Sequence, residues 1–452
     1  MQKSCPFDFD SDVRGAQPEF RFPGLHEAPS ISVRDWFRGV LLSLLIATLT
    51  GSACAFFLWS LDAVTLIRWA HPWLLGFLPV IGIFIVLGYE RYGRSVGRGT
   101  HLVLDALHES TTPVPRRLTP FVLASTLLTH LGGGSAGREG TAVQMGAGLA
   151  STVIHGFQVV SARLKNGLLL AGIAAGFGAV FGTPWAGALF ALEFVRRDRL
   201  WSWLRTKPSW CPALFWAVPI TILASWSGHW VCLAWGAQHT AYGISSGPWT
   251  EASLVTALIV GLAAGLAART YVLAAEGTAK LAEHFIRESW QRPVVGAAVV
   301  LGVSWMLGTD AYLGLGVRHP LPTHPSIVTA FHQGGATTWS WFWKLALTAV
   351  TLGSGFKGGE VTPLFFIGAT LGNALATRVG LPVDLAAATG FVAVFAGASR
   401  TPLTCAVMGA ELFGIQYGPN FLVACLLALV TTSHRGIYSA QRGSDLRPTN
   451  AK

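Results

Sequence analysis

Glu139 and Glu360 stand in matching pentads, Gly137-Arg138-Glu139-Gly140-Thr141 and Gly358-Gly359-Glu360-Val361-Thr362, each within apolar, glycine-rich chain. A carboxylate in such surroundings is costly and marks an ion or proton pathway. Each follows a glycine-rich turn, Gly132-Gly133-Gly134-Ser135-Ala136-Gly137 or Gly353-Ser354-Gly355-Phe356-Lys357-Gly358-Gly359, that leads into an apolar helix. The first N–H groups of a helix have no helical partner, and together with the helix dipole they attract an anion. Two such turns brought together make an anion site from partial charges, which holds an ion and still releases it. Glu139 occupies the anion's place when ionised and withdraws when protonated, which is the chemistry of a proton-linked gate. Against this stands a carboxylate that only braces a turn by pairing with Arg138 or a loop arginine. For Glu360, a plain capping carboxylate at a helix start is an equal contender.

The elements that must hold these turns are membrane helices. Of 452 residues, 52% are hydrophobic and 12% charged, with 52 glycines and 18 tryptophans, whereas soluble domains carry about 25% charged residues. Apolar stretches at Trp36–Trp59, Trp73–Tyr89, Ser253–Ala268 and Phe421–Thr432 read as bilayer crossings. Others are shorter and broken by glycine or proline, which is tolerated at membrane depth where the freed backbone lines a cavity or is buried in protein. The polar start has no secretory-leader pattern. Lys and Arg gather at Arg91, Arg94 and Arg98, at Arg196 to Lys207 and at Arg435 to Arg447, and none occurs between Lys207 and Arg269. Cytoplasmic loops carry the excess of these residues, so both termini are expected inside, in a cell (inner) membrane, and the Trp-rich connection Gly228–Thr250 outside. The net charge of +10 is spread over these loops, which speaks against a nucleic-acid partner and for the lipid bilayer. The six cysteines lack metal-ligand spacing, so no metal, cofactor or disulfide framework is expected.

The chain repeats itself. Thr183-Pro184 and Thr401-Pro402 are each followed by a glutamate nine residues after the proline, Glu193 and Glu411. The offset between the two prolines is 218 and that between Glu139 and Glu360 is 221. Two elements in one order at nearly one offset indicate related halves, as in many transporters. The expected division is a cytosolic tail at 1–33, a first membrane repeat at 34–205, a connecting helix and external loop at 206–249, a second repeat at 250–442 and a tail at 443–452. A short helix dipping towards the core is expected at Arg435–Arg442.

At these residues the chain resembles the CLC-type anion transporters. Gly137-Arg138-Glu139-Gly140-Thr141 is similar to the family's Gly-Arg-Glu-Gly-Pro, Gly358-Gly359-Glu360-Val361-Thr362-Pro363 to its Gly-Gly-x-Phe-x-Pro, and Ile437-Tyr438-Ser439-Ala440 to its tyrosine-bearing segment. The resemblance implies an all-α membrane fold of two inverted-topology repeats with tilted and broken helices, and a homodimer. It implies Glu139 as the external gating and proton-transfer glutamate, and an anion site drawn from Gly99, Thr100, Gly137, Arg138, Gly140, Glu360, Val361, Thr362 and Tyr438. Chloride-type members carry Gly-Ser-Gly-x-Pro where this chain has Gly97-Arg98-Gly99-Thr100-His101, so Arg98 or Thr100 stands in the serine's place, and Thr100 supplies a hydroxyl. Phe194 stands where proton-coupled chloride members carry an inner glutamate. Together with Glu-Val-Thr, these departures resemble the fluoride-transporting CLC-F branch, which exports fluoride in exchange for protons. A pathway rich in hydrogen-bonding groups suits a small, strongly hydrated anion.

Two other readings compete. One is a chloride or nitrate transporter, or a passive anion channel, of the same fold. The other is an intramembrane serine hydrolase, since Gly133-Gly134-Ser135-Ala136-Gly137 looks like a nucleophile turn with His130 nearby. His130, His101 and His108 are better explained as packed or interfacial residues, with His101 close to the expected pathway.

Overall fold

The computed structural model describes residues 33–108, 114–195, 212–247, 250–432 and 436–438. The N-terminal tail, the basic segment 196–207 and most of the expected helix at 435–442 lie outside it. Gly436–Tyr438, the described part of that last segment, are not helical.

Among the described residues every regular element is a helix, apart from one isolated bridge, with non-helical connections between them. Its helices are α1 (Val33–Ala70), α2 (Leu78–Tyr92), α3 (Thr100–His108), α4 (Leu118–Leu131), α5 (Glu139–Gly156), α6 (Ala162–Phe181), α7 (Pro184–Glu193) and α8 (Pro212–Ala234). The second set is α9 (Glu251–Phe285), α10 (Gln291–Leu307), α11 (Ser340–Gly353), α12 (Val361–Val379), α13 (Val383–Ser399), α14 (Pro402–Phe413) and α15 (Gly418–Thr431). Five helices, counting Pro72–Tyr92 as one, are long and apolar enough to cross a bilayer. The 38 residues of α1 span about 57 Å at 1.5 Å per residue. Others, such as α7 with 10 residues and α14 with 12, cannot cross alone, as the glycine and proline breaks predict.

The two sets pack alike. In the first, α5 lies on α6, α6 on α1, α7 and α8, and α4 on α5. In the second, α12 lies on α13, α13 on α9, α14 and α15, and α11 on α12. Because α8 packs on α1, α6 and α7 as α15 packs on α9, α13 and α14, we read the first repeat as running on to Ala234 rather than stopping at Arg205.

Glycine permits the closest crossings in both sets. A Cβ added to Gly146 of α5 would lie 2.0 Å from the Gly172 carbonyl oxygen of α6, and one added to Gly368 of α12 would lie 2.0 Å from that of Gly390 of α13. Small residues let membrane helices pack backbone to backbone where no hydrophobic effect drives them together. Gly368→Val is therefore expected to lower stability by about 3 kcal/mol through overpacking. Gly302→Val, where a Cβ meets nothing within 4 Å, should leave the thermal midpoint of the detergent-solubilised protein unchanged; equal shifts would refute the packing argument.

The repeated Thr-Pro helices join the halves. Glu193, at the end of α7, accepts from Leu403 N–H at 3.2 Å, Thr404 N–H at 2.8 Å and the Thr404 hydroxyl at 2.7 Å, at the start of α14. Glu411, near the end of α14, accepts from Trp185 N–H at 2.9 Å and Ala186 N–H at 2.8 Å, at the start of α7. Each helix thus closes the N-terminus of the other with a carboxylate, satisfying donors that a helix start leaves open. The nine-residue spacing from proline to glutamate is the length this antiparallel, reciprocal capping needs.

Candidate functional site

The two signature turns meet. Gly137 N–H donates to the Gly359 carbonyl at 2.6 Å and Gly359 N–H to the Gly137 carbonyl at 2.8 Å, an antiparallel bridge between the starts of α5 and α12. Only glycine fits so close an approach: a Cβ on Gly359 would lie 2.9 Å from the Gly140 nitrogen. The first turn is braced from behind. The Ser135 hydroxyl donates to the Tyr312 carbonyl at 2.9 Å, and buried Lys344 donates to the carbonyls of Tyr312 at 3.0 Å and Gly314 at 2.7 Å.

Glu139 is 2% exposed and its carboxylate sits over the start of α12. Oε2 accepts from Thr362 N–H at 3.0 Å and from the Thr362 hydroxyl at 2.5 Å. Arg138 adds its own N–H at 3.2 Å and its Nε at 3.4 Å. The longer Arg138 contacts are those of a braced turn, while the shorter ones place a negative group at the positive end of another helix. Glu139 therefore does more than brace its own turn. Gly137 N–H and Arg138 N–H are both committed in this arrangement, to Gly359 and to Glu139.

Glu360 is the N-cap residue of α12, yet its side chain makes no capping hydrogen bond, so the plain capping role does not apply. It lies within electrostatic range of Tyr271 and Tyr438. Val361 and Thr362, the first two residues of α12, are buried. Gly140 follows Glu139 into the first turn of α5 against Gly359.

Tyr438 hangs from the end of α13, where Ile437 N–H donates to the Ala398 carbonyl at 2.9 Å. Its ring meets that of Phe194 edge-on at 4.8 Å between centroids. From there a row of rings continues through Phe190 at 4.9 Å and Phe177 at 4.4 Å. Phe181 then links Phe177, at 4.4 Å, to Phe365 of the second half, at 5.4 Å. Phe194, the residue at the inner-glutamate position, is thus part of an apolar column.

Gly99 has φ of +51° and Thr100 begins α3. The Thr100 hydroxyl accepts from Gln144 Nε2 of α5 at 3.0 Å, while Arg98 turns to solvent and pairs with Asp105 at 2.9 Å. Of the two candidates at this place, the threonine faces the protein. Gln144 was not singled out in the sequence, although an amide five residues after Glu139 in an apolar run is a visible signal. The aromatic row and the exchange of caps by Glu193 and Glu411 were also missed, because they depend on pairing between halves.

The hydrolase geometry is absent. The Ser135 hydroxyl is shared between Tyr312 and Thr348, the latter at 2.9 Å, and His130 Nε2 faces the Gly137 carbonyl at 3.4 Å. No base is oriented onto the serine among the described residues, as nucleophilic catalysis requires. Cys54, Cys232, Cys405 and Cys425 are free and buried.

Broken helices that meet start to start at a buried carboxylate, held by two similarly packed sets of apolar helices, define an ion-transport protein of the membrane. Residues 81–433 match the model of the voltage-gated chloride channel family. The chain is 42% identical over 408 residues to a chloride/fluoride channel protein of Pseudomonas syringae pv. tomato, covering 89% of this chain and 85% of that one. It is 26% identical over 379 residues, 80% of this chain and 75% of the other, to an H+/Cl− exchange transporter of Yersinia pestis. Among solved structures, a CLC-type fluoride/proton antiporter superposes with a TM-score of 0.82 at 32% identity, covering 92% of this chain and all of that one. The chain belongs to the voltage-gated chloride channel (CLC) family, whose members move ions and are not enzymes, and it has the family's all-α fold of two inverted repeats.

Proposed function

We propose that the protein is a secondary active transporter that exports fluoride in exchange for protons, with Glu139 as its gate. The observation that carries this reading is the Glu139 carboxylate resting on the N–H and hydroxyl of Thr362, where a dehydrated anion would find the same donors. An anion and an ionised Glu139 compete for that place, and a proton on Glu139 releases it. The anion-binding groups are then the starts of α5 and α12 (Arg138, Gly140, Val361, Thr362), the Gly99-Thr100 turn, Tyr438 and Glu360, with Gly137 holding the two starts together through its bridge. Hydroxyl donors from Thr362 and Tyr438 suit fluoride, which gives up its hydration only to strong donors. The similarity to a fluoride/proton antiporter and to a chloride/fluoride channel protein supports the same substrate class.

Since α1 crosses and α2 returns, Val33 and the basic residues Arg91, Arg94 and Arg98 share one face. The excess of positive charge makes that face cytoplasmic, with both termini inside a cell (inner) membrane. The functional unit is a homodimer with one pathway per subunit.

Chloride transport, coupled or passive, is the second reading, favoured by the apolar Phe194 at the inner-glutamate position and by the likeness to a chloride exchanger. Reconstituted liposomes separate the two. Fluoride efflux should exceed chloride efflux and be accompanied by opposite proton movement. Chloride moving as fast as fluoride sinks the substrate assignment, and fluoride flux without protons sinks the exchange.

A further inference from the structure

Tyr271 of α9 is fully buried, and its hydroxyl has no hydrogen-bond partner among the described residues. Tyrosine hydroxyls in protein interiors usually find a partner, and a buried one without any destabilises the fold that holds it. Its surroundings indicate what it serves. One turn before it, Ala268 lies against Gly397 of α13: a Cβ on that glycine would be 3.0 Å from the Ala268 Cβ. The next residue, Ala398, fastens the segment bearing Tyr438. Tyr271 is within electrostatic range of both Tyr438 and Glu360. Three elements, α9, the start of α12 and the segment at 436–438, thus bring two phenolic hydroxyls and one carboxylate into a single neighbourhood. No hydrogen bond joins Tyr271 to either of the other two.

We propose that Tyr271 is a second anion-coordinating tyrosine, whose hydroxyl donates to the partly dehydrated ion as it passes between Tyr438 and Glu360. The proposal rests on the fluoride-transport reading above. A phenol is a suitable donor here, because it is neutral and rigid and holds the ion without the full charge that would trap it. It also explains the vacant hydrogen bond, which the passing ion fills.

The test is Tyr271→Phe, which removes only the hydroxyl. Wild type and variant are reconstituted for fluoride efflux, and the detergent-solubilised proteins are titrated calorimetrically with sodium fluoride and melted. Fluoride transport and affinity are each expected to fall at least about tenfold, the scale of a hydrogen bond to an ion. The thermal midpoint should stay or rise, since an unpartnered hydroxyl has been removed. Wild-type transport and affinity in the variant would overturn the proposal and leave the function standing. Loss of transport together with a lowered midpoint would also overturn it, by giving the hydroxyl a structural partner. Wild type that moves no fluoride overturns the functional reading itself, and this inference with it.

Discussion

Glu139→Gln is expected to abolish proton counter-movement, to let fluoride continue to cross, and to flatten the pH dependence of efflux. Glutamine keeps the shape of the side chain but has no proton to exchange. It also lacks the charge that favours the start of α12 and strengthens the hydrogen bonds from Thr362. A hydrogen bond to a charged group contributes about 1.5–3 kcal/mol, so its weakening lowers occupancy of the closed position roughly tenfold or more. The variant should therefore carry fluoride at nearly one rate at every pH. Efflux with a fluoride electrode and an internal pH dye, across pH 5 to 8, provides the measurement. A variant unchanged in both flux and pH dependence removes the gate assignment, even if the fluoride selectivity holds.

That Glu139 and Glu360 belong to one neighbourhood was legible in the chain, since their pentads repeat at nearly the offset of the Thr-Pro elements. The bridge between Gly137 and Gly359 gives that repetition its physical content. The two glutamates are nonetheless not equivalent. Glu139 crosses to the other repeat's helix, whereas Glu360, at the matching helix start, makes no cap and lies within electrostatic range of Tyr271 and Tyr438. In the sequence they were set apart by the family motif, which singles out Glu139; which helix start each side chain reaches is visible only in the fold.

Pairing between halves hid other features in the same way. Gln144 matters because α3 brings Thr100 to it, and the row from Tyr438 to Phe365 exists only once α7, α6 and α12 are stacked. Dispersed phenylalanines in apolar helices otherwise read as ordinary core. Helix existence was easier to see than helix extent. The apolar stretch at Ser253–Ala268 anticipated α9, but the helix runs on to Phe285 through charged residues that carry no bilayer signal.

Glu193→Ala is expected to destabilise the protein more than Glu411→Ala, although the two residues hold matching places in the repeat. Glu193 is 9% exposed and serves three donors at the start of α14, all of which lose their acceptor together. Glu411 is less buried and serves two donors, one of them exposed, so water replaces part of what is removed. The expected losses are about 3 kcal/mol for Glu193 and about 1–2 kcal/mol for Glu411. Thermal midpoints in detergent, with size-exclusion profiles as a check on assembly, compare them directly. Glu193→Gln keeps one carbonyl acceptor and should recover part of the midpoint with proton coupling intact. If Glu193→Gln instead keeps the full midpoint and loses proton movement, Glu193 carries protons beside the apolar Phe194, and its role as a cap is secondary.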